Sequence, residues 1–138
     1  MIKNLDHLEK APAKFELFRK NIDNEQLQAG AVQAFEFCYE LTWKVLKRTL
    51  EERGLDAGSP KDTFRKSALE GIIHNPEIWF FFQTIRNLTA HIYEQTNLDT
   101  VIAAFDQFSH ELNLVIQKLK TDFICIQKTD TYNVIQKI

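Results

Sequence analysis

The chain has 138 residues, 44% of them hydrophobic and 26% charged, which is typical of one folded domain rather than a disordered segment. Four glycines and three prolines are too few for the tight turns of a β-sandwich or barrel, so the composition favours long helices. A net charge of −2 excludes a general basic field for nucleic-acid binding, and any contact with RNA must be local or arise where two chains meet.

The first two predicted helices occupy the N-terminal third of the chain. The first runs from about Leu5 to Ile22, and Pro12 should kink it or mark its true start. The second runs over about 25–53 and ends before Gly54. Two adjacent apolar stripes predict that it is buried on two sides. One stripe, spaced by three and four residues, consists of Val32, Phe35, Tyr39, Trp43, Leu46 and Leu50.

Three further helices follow. Ser59 and Asn75, each followed by a proline, are predicted to cap the third and fourth. Asn97 is predicted to cap the fifth, whose apolar residues recur at a spacing typical of a bundle seam. These residues are Leu98, Val101, Phe105, Phe108, Leu112, Val115, Leu119 and Phe123.

The pattern predicts an all-α, up-and-down bundle of four to five helices over residues 1–122. The tail, 123–138, could be a helix extension, an edge strand or a partner-binding arm. Cys38 and Cys125 form no CxxC pair, which indicates two reduced thiols. The sequence contains neither an apolar leader at its start nor an 18-residue apolar run, so we expect a cytoplasmic protein without membrane contact.

The segment RNLTAHIY concentrates the residues suited to chemistry. On a continuous helix, Asn87 and His91 would share one face, and Arg86 would align with Tyr93 seven positions later. Glu94 could orient the His91 ring. Arginine can bind a phosphate through two hydrogen bonds, and imidazole exchanges a proton near neutral pH. This set predicts phosphodiester chemistry without a metal, in which two copies facing across a twofold axis divide the base and acid roles.

Each of these residues also has an ordinary structural interpretation. Arg86 could pair with a neighbouring carboxylate, His91 could cap a helix end and Tyr93 could pack against the surface. A short motif leaves both interpretations open. The aromatic run at 79–82 could likewise stack on bases, although packing in the core or in a dimer interface is favoured.

The remaining candidates are weaker. Glu36 and Glu40 lie one turn apart and could act as a carboxylate pair, although solvation or ion pairing is favoured. Lys44 begins a basic end of the second helix, which continues with Lys47 and Arg48 and could contact phosphate or simply face solvent. The other histidines lack ligands at zinc-site spacing, so neither a metal nor a cofactor is predicted. They are His7, His74 and His110.

Three blocks of the chain resemble the nucleotidyltransferase substrate-binding family, a branch of the HEPN (higher eukaryotes and prokaryotes nucleotide-binding) superfamily. The blocks are 35–52 (FEFCYELTWKVLKRTLEE), 59–73 (SPKDTFRKSALEGII) and 79–94 (WFFFQTIRNLTAHIYE). The similarity covers roughly residues 5–120. It implies a HEPN-like bundle, a homodimer and a separate minimal nucleotidyltransferase as partner.

The resemblance also implies roles for individual residues. Related HEPN proteins act as metal-independent RNases or toxins through an Arg-x4–6-His motif, which Arg86 and His91 match, with Asn87 as the polar residue after the arginine. In some paired systems the motif extends to Arg-x4-His-x-Tyr, and the nucleotidyltransferase adenylylates the tyrosine. Tyr93 occupies that position.

The chain departs from the family pattern beside the motif. Ile85 stands where an acidic residue often precedes the arginine, and Ala90 and Ile92 replace the usual Ser and Thr around the histidine. The leading hypothesis is a toxin RNase with a site shared across a dimer. The alternative is a non-catalytic subunit that presents nucleotide or another substrate to the nucleotidyltransferase, and a third hypothesis is a purely structural dimeric scaffold.

Overall fold

The computed structural model describes the backbone of residues 2–20 and 22–137 and the side chains of residues 5–20 and 22–123. The described backbone contains helices and no strand, so the all-α prediction is confirmed. In chain order the elements are α1 (Ile2–Arg19), α2 (Glu25–Glu52), α3 (Pro60–Leu69), α4 (Pro76–Leu88), a 3-10 turn (Thr89–His91), α5 (Gln95–Ala103) and α6 (Phe105–Lys137). In this part of the chain, every helix is too short or too polar to cross a bilayer.

Hydrogen bonds confirm two of the predicted helix starts. The Ser59 hydroxyl accepts the backbone N–H of Asp62 at 3.1 Å, and the Asn75 side chain accepts that of Glu77 at 2.9 Å. The proline after each cap lacks an N–H that the first turn would leave unbonded. Pro12, by contrast, lies inside α1, so it does not mark the start of that helix.

The predicted fifth helix is two helices, α5 and α6, separated by Ala104. The prediction that Asn97 caps it is also wrong. The first helix of the pair begins at Gln95, two residues before Asn97 and directly after Glu94, and the Asn97 amide donates to the His91 carbonyl. Because the apolar repeat runs through both helices, it does not reveal the break.

The backbone continues α6 as far as Lys137, which corresponds to the helix extension among the three alternatives for the tail. Side chains from residue 124 onward, including Cys125, lie outside the described residues. The division into a bundle over 1–122 and a separate tail stays a prediction.

Phe108 of α6 lies at the centre of an aromatic core. Its ring centroid is 4.7 Å from that of Phe35 on α2, 5.6 Å from Phe15 on α1 and 5.1 Å from Phe82 on α4. All three contacts are edge-on, the geometry in which the positive edge of one ring meets the negative face of another. Trp79 of α4 completes the group, with its ring centroid 6.0 Å from that of Phe108. These fully buried rings hold α1, α2, α4 and α6 around a common centre.

The helices α2 and α3 end in the same glycine-dependent motif. Gly54 has a φ of +80° and Gly71 a φ of +75°, values that side chains with a Cβ rarely adopt. The N–H of the following residue then reaches back to a carbonyl of the last turn, from Leu55 to Leu50 and from Ile72 to Ser67, each at 2.9 Å.

Replacing Gly54 with alanine should lower the free energy of unfolding by about 1 kcal/mol, because the left-handed backbone there penalises a Cβ. No atom lies within 4 Å of that Cβ, so the cost comes from the backbone alone. Gly58→Ala is the matched control, since that position is equally open and has no positive φ. Urea unfolding of both variants measures the difference, and equal effects would contradict the assignment.

The thiol of Cys38 should make stability depend on pH. Burial raises the pKa of this thiol to about 12. In the unfolded chain a thiol ionises near pH 8.5, so between these values only the unfolded state loses the proton and stability falls as pH rises, by at most ~1.4 kcal/mol per unit. The free energy of unfolding should therefore fall by about 1–2 kcal/mol more between pH 8 and 10 in the parent than in Cys38→Ala. Identical pH profiles of the two proteins would exclude this.

Candidate functional site

Arg86, near the end of α4, extends toward two carboxylates on α2. Its Nε lies 3.4 Å from Glu40 Oε1 and its Nη2 lies 3.8 Å from Glu36 Oε2, with all three side chains about one-third exposed. The Nε–H is buried and lacks hydrogen-bond geometry, so the contact with Glu40 is an ion pair. Trp43 donates its indole N–H to the other oxygen of Glu40 at 2.9 Å. The favoured interpretation of Glu36 and Glu40, ion pairing, therefore describes them.

Thr89 forms two hydrogen bonds with Arg86 and lies where α4 ends. Its hydroxyl accepts from Arg86 Nη1 at 3.0 Å and donates to the Arg86 carbonyl at 2.6 Å. A threonine hydroxyl that bonds a nearby carbonyl competes with the helical backbone bond there. The chain then tightens into the 3-10 turn. The predicted continuous helix through Asn87 and His91 is therefore wrong, and Tyr93 lies beyond the turn rather than on the helix that carries Arg86.

The His91 ring contacts the Tyr93 hydroxyl. Nδ1 and Oη are 3.1 Å apart and the rings meet edge-on, with both residues exposed and Tyr93 exposed to 78%. The His91 carbonyl accepts from the Asn97 amide at 3.0 Å, which holds the turn against the start of α5. Glu94 lies 3.5 Å from the same amide. The group next to the His91 ring is therefore Tyr93, and not Glu94 as the sequence suggested.

Asn87 and Lys44 are both exposed. Asn87 lies on α4 next to Arg86, and its amide has no hydrogen-bond partner among the side chains that the structure describes. Lys44 lies on α2 one turn after Glu40 and forms no ion pair within the same residues. The structure thus brings Arg86 to Glu36 and Glu40, and His91 to Tyr93, as two adjacent groups with Asn87 between them in the chain. A role for Lys44 stays a prediction.

Tyr39 is the buried counterpart of Tyr93. Its side chain is 2% exposed and its hydroxyl lacks a partner among the described residues. Burial raises its pKa above the usual range, and the charge of Glu40 adds to this while that of Arg86 opposes it. Tyr39 is therefore a packing residue, stacked on Phe35 with centroids 6.5 Å apart.

The aromatic run on α4 divides between core and surface. Trp79 and Phe82 are fully buried, which confirms packing for these two, whereas Phe80 is half-buried and Phe81 is 42% exposed. Among the described residues, no three His, Cys, Asp or Glu side chains are grouped so that they could bind a metal ion.

Sequence reasoning missed Thr89 and misassigned Asn97. A threonine three residues after an arginine at a helix end is the signal that could have indicated the first contact. The site as a whole contains an exposed imidazole, His91, with one nitrogen in contact with the Tyr93 hydroxyl. It also contains an exposed amide and a guanidinium that two carboxylates hold in place. Such groups can bind a phosphate and exchange protons with it.

Comparison with known proteins agrees with this architecture. The family described as "Nucleotidyltransferase substrate binding protein like" matches residues 3–121. A protein of Haemophilus influenzae named "Probable ribonuclease HepT" is 34% identical over 105 residues, which cover 72% of each chain.

Two solved structures share the fold. HI0074 of Haemophilus influenzae, described as revealing the fold of a substrate-binding domain of a nucleotidyltransferase, has a TM-score of 0.77 and 30% identity, over 84% of this chain and 98% of the other. A protein of Thermus thermophilus has a TM-score of 0.75 and 25% identity, over 81% and 98%. The chain therefore belongs to the nucleotidyltransferase substrate-binding family and has its HEPN-like helical fold.

Proposed function

We propose that this protein is a metal-independent endoribonuclease. It would be the toxin of a toxin–antitoxin pair, in which a separate minimal nucleotidyltransferase regulates its activity. The observation that carries the proposal is the exposed His91 ring with its Nδ1 3.1 Å from the Tyr93 hydroxyl. The name of the Haemophilus influenzae relative, a ribonuclease, supports the same activity. Both proteins of the pair would work in the cytoplasm, where RNA and nucleoside triphosphates are available.

The reaction is an internal transesterification of RNA. A base takes the proton of a ribose 2′-hydroxyl, and the 2′-oxygen forms a bond to the adjacent phosphorus. The bond from phosphorus to the 5′-oxygen breaks, and an acid protonates that leaving oxygen. The products are a 2′,3′-cyclic phosphate and a 5′-hydroxyl. Arg86 and Asn87 bind the phosphate oxygens, whose negative charge grows during the reaction.

The contact with Tyr93 allows His91 to act in either role. In the imidazolium form both ring nitrogens carry a proton, so Nδ1–H donates to the tyrosine oxygen and the other nitrogen is the acid. In the neutral form Nδ1–H keeps the same contact, and the other nitrogen is free to act as the base. Two identical rings from two protomers can therefore perform both proton transfers. We propose a homodimer for this reason.

Adenylylation of Tyr93 would silence such a site. The phenol oxygen bonds to the α-phosphorus of ATP, pyrophosphate leaves and the phenol proton is lost to solvent. The modified oxygen is then a poorer acceptor for Nδ1–H, and a negative phosphodiester with its nucleoside stands beside the ring that must approach RNA. The high exposure of Tyr93 supports access by a second enzyme.

A non-catalytic subunit, which presents nucleotide or another substrate to the nucleotidyltransferase, is the second candidate. The observation that favours it is the Arg86 environment, in which two carboxylates already compensate the guanidinium. The description of HI0074 as a substrate-binding domain supports it as well. Expression without the partner separates the two, because a toxin stops growth and a binding subunit does not.

Substituting His91 with alanine should lower RNA cleavage at least about 100-fold, since positioned proton transfer contributes that much or more. The measurement is the rate of cleavage of labelled single-stranded RNA, with a chelator present throughout. His110→Ala is the matched control, because His110 is an exposed histidine on α6. Equal rates for the parent and the His91 variant would eliminate the mechanism.

Substituting Tyr93 with phenylalanine should keep the protein folded and should lower RNA cleavage less than His91→Ala does, because the contact at Nδ1 is lost while the His91 ring remains. The variant should no longer accept AMP from the partner nucleotidyltransferase and labelled ATP, so cleavage should continue in their presence. Tyr39→Phe serves as control and should still be labelled, since its hydroxyl is buried. Label on the Tyr93 variant equal to that on the parent would exclude this tyrosine as acceptor.

A further inference from the structure

The charges around Arg86 leave RNA binding unexplained. The guanidinium carries one positive charge and lies within 4 Å of two carboxylates, Glu36 and Glu40. RNA that approaches Arg86 therefore meets more negative than positive charge at close range. The net charge of −2 offers no general attraction either. Arg86 can bind the scissile phosphate, but the further cations that attract the rest of the RNA backbone must come from another part of the surface.

Such cations lie together on α3. The Lys61 ammonium and the Arg65 guanidinium lie over the same ring, each 5.4 Å from the centroid of Phe80 on α4. Both cations are exposed, and neither has a carboxylate within 4 Å among the side chains that the structure describes. Asp62, the acidic residue between them, pairs with Lys66 at 3.1 Å. Asp62 also attracts Arg65, but less strongly than it attracts Lys66, so the patch of Lys61, Arg65 and Phe80 keeps a net positive charge.

The patch and the candidate site lie on one face of α4. Phe80, Thr84 and Asn87 are four and three positions apart, so they follow one another along the helix. Two turns separate the first from the last, roughly 10 Å along the axis. Thr84 and Asn87 are exposed, and Glu77, the acidic residue in the first turn of α4, lies one turn before Phe80 and away from Asn87. Two exposed polar residues, Thr84 and Asn87, thus follow the patch along α4 toward the candidate site.

We propose that Lys61, Arg65 and Phe80 bind single-stranded RNA beside the scissile phosphate, an inference that rests on the proposed function. The guanidinium of Arg65, supported by the Phe80 ring, offers a flat cationic surface on which a base can stack. The ammonium of Lys61 binds the neighbouring phosphate. The next nucleotides then follow Thr84 to Asn87. The alternative occupant is an acidic surface of a partner protein. Such a surface would pair with the two cations but would gain nothing from the Phe80 ring, whereas the bases of RNA can stack.

The test measures binding in the His91→Ala background, so that the RNA stays intact. Fluorescence anisotropy of a labelled RNA of about twelve nucleotides gives the dissociation constant at several salt concentrations. Lys61→Ala with Arg65→Ala should weaken binding about tenfold at low salt, and reduce the slope of log K against log salt by about 0.7 for each phosphate that the protein no longer neutralises. Phe80→Leu, which keeps an apolar side chain without the ring, should weaken binding several-fold with little change in slope.

The matched control is Lys10→Ala with Lys14→Ala, which removes two charges from exposed positions on α1 that likewise have no carboxylate within 4 Å among the described side chains. It should change the dissociation constant less than twofold. Equal weakening by both double variants, or none by the Lys61 and Arg65 variant, would overturn the proposal, as would a His91→Ala protein that fails to bind RNA. Loss of nucleotidyltransferase binding with RNA binding intact would identify the patch as a protein-docking surface and also overturn it.

Failure of the proposed function would look different. In that case the protein with an intact His91 leaves RNA uncleaved, while RNA binding still depends on Lys61 and Arg65. Cleavage that depends on His91 but is equally efficient after loss of both cations would instead reject the patch and leave the RNase activity standing.

Discussion

The packing of α4 against the aromatic centre at Phe108 is the constraint on which the candidate site depends. Trp79 and Phe82 must face that centre, so α4 has one rotational setting about its axis. Residues seven positions apart share a face, so burying Trp79 turns Arg86 toward α2. The same setting directs Phe80 and Asn87 toward solvent. A change in core volume at Phe108 would therefore disturb the site without touching any of its residues.

The elements that local chemistry determines could be predicted from the sequence. Ser59 and Asn75 cap their helices because the cap and its hydrogen-bond partner lie within three residues of each other. The burial of Trp79 follows from the same kind of local pattern. The prediction for Asn97 was wrong because an asparagine that caps a helix and one that bonds the preceding turn look alike in the sequence. Only the folded chain shows that the Asn97 amide donates to the His91 carbonyl.

The site residues themselves were identified from their spacing, but their partners were not. Glu36 and Glu40 lie one helical turn apart, which indicates that they share a face of α2. The spacing does not indicate that their partner is Arg86, about fifty residues later in the chain. At the end of α4 the Thr89 hydroxyl donates to the Arg86 carbonyl, a contact that hydrophobic periodicity does not reveal. Non-local ion pairs and local competition for backbone groups therefore account for most of the differences.

The ion pairs of Arg86 have an entropic consequence. A free arginine side chain on a surface samples many rotamers and loses about 2 kcal/mol when a ligand immobilises it. Here Glu36, Glu40 and Thr89 restrict the side chain as the protein folds. A phosphate that binds this guanidinium therefore causes little further loss of side-chain entropy. The same carboxylates that repel the anion also reduce the entropic cost of binding it.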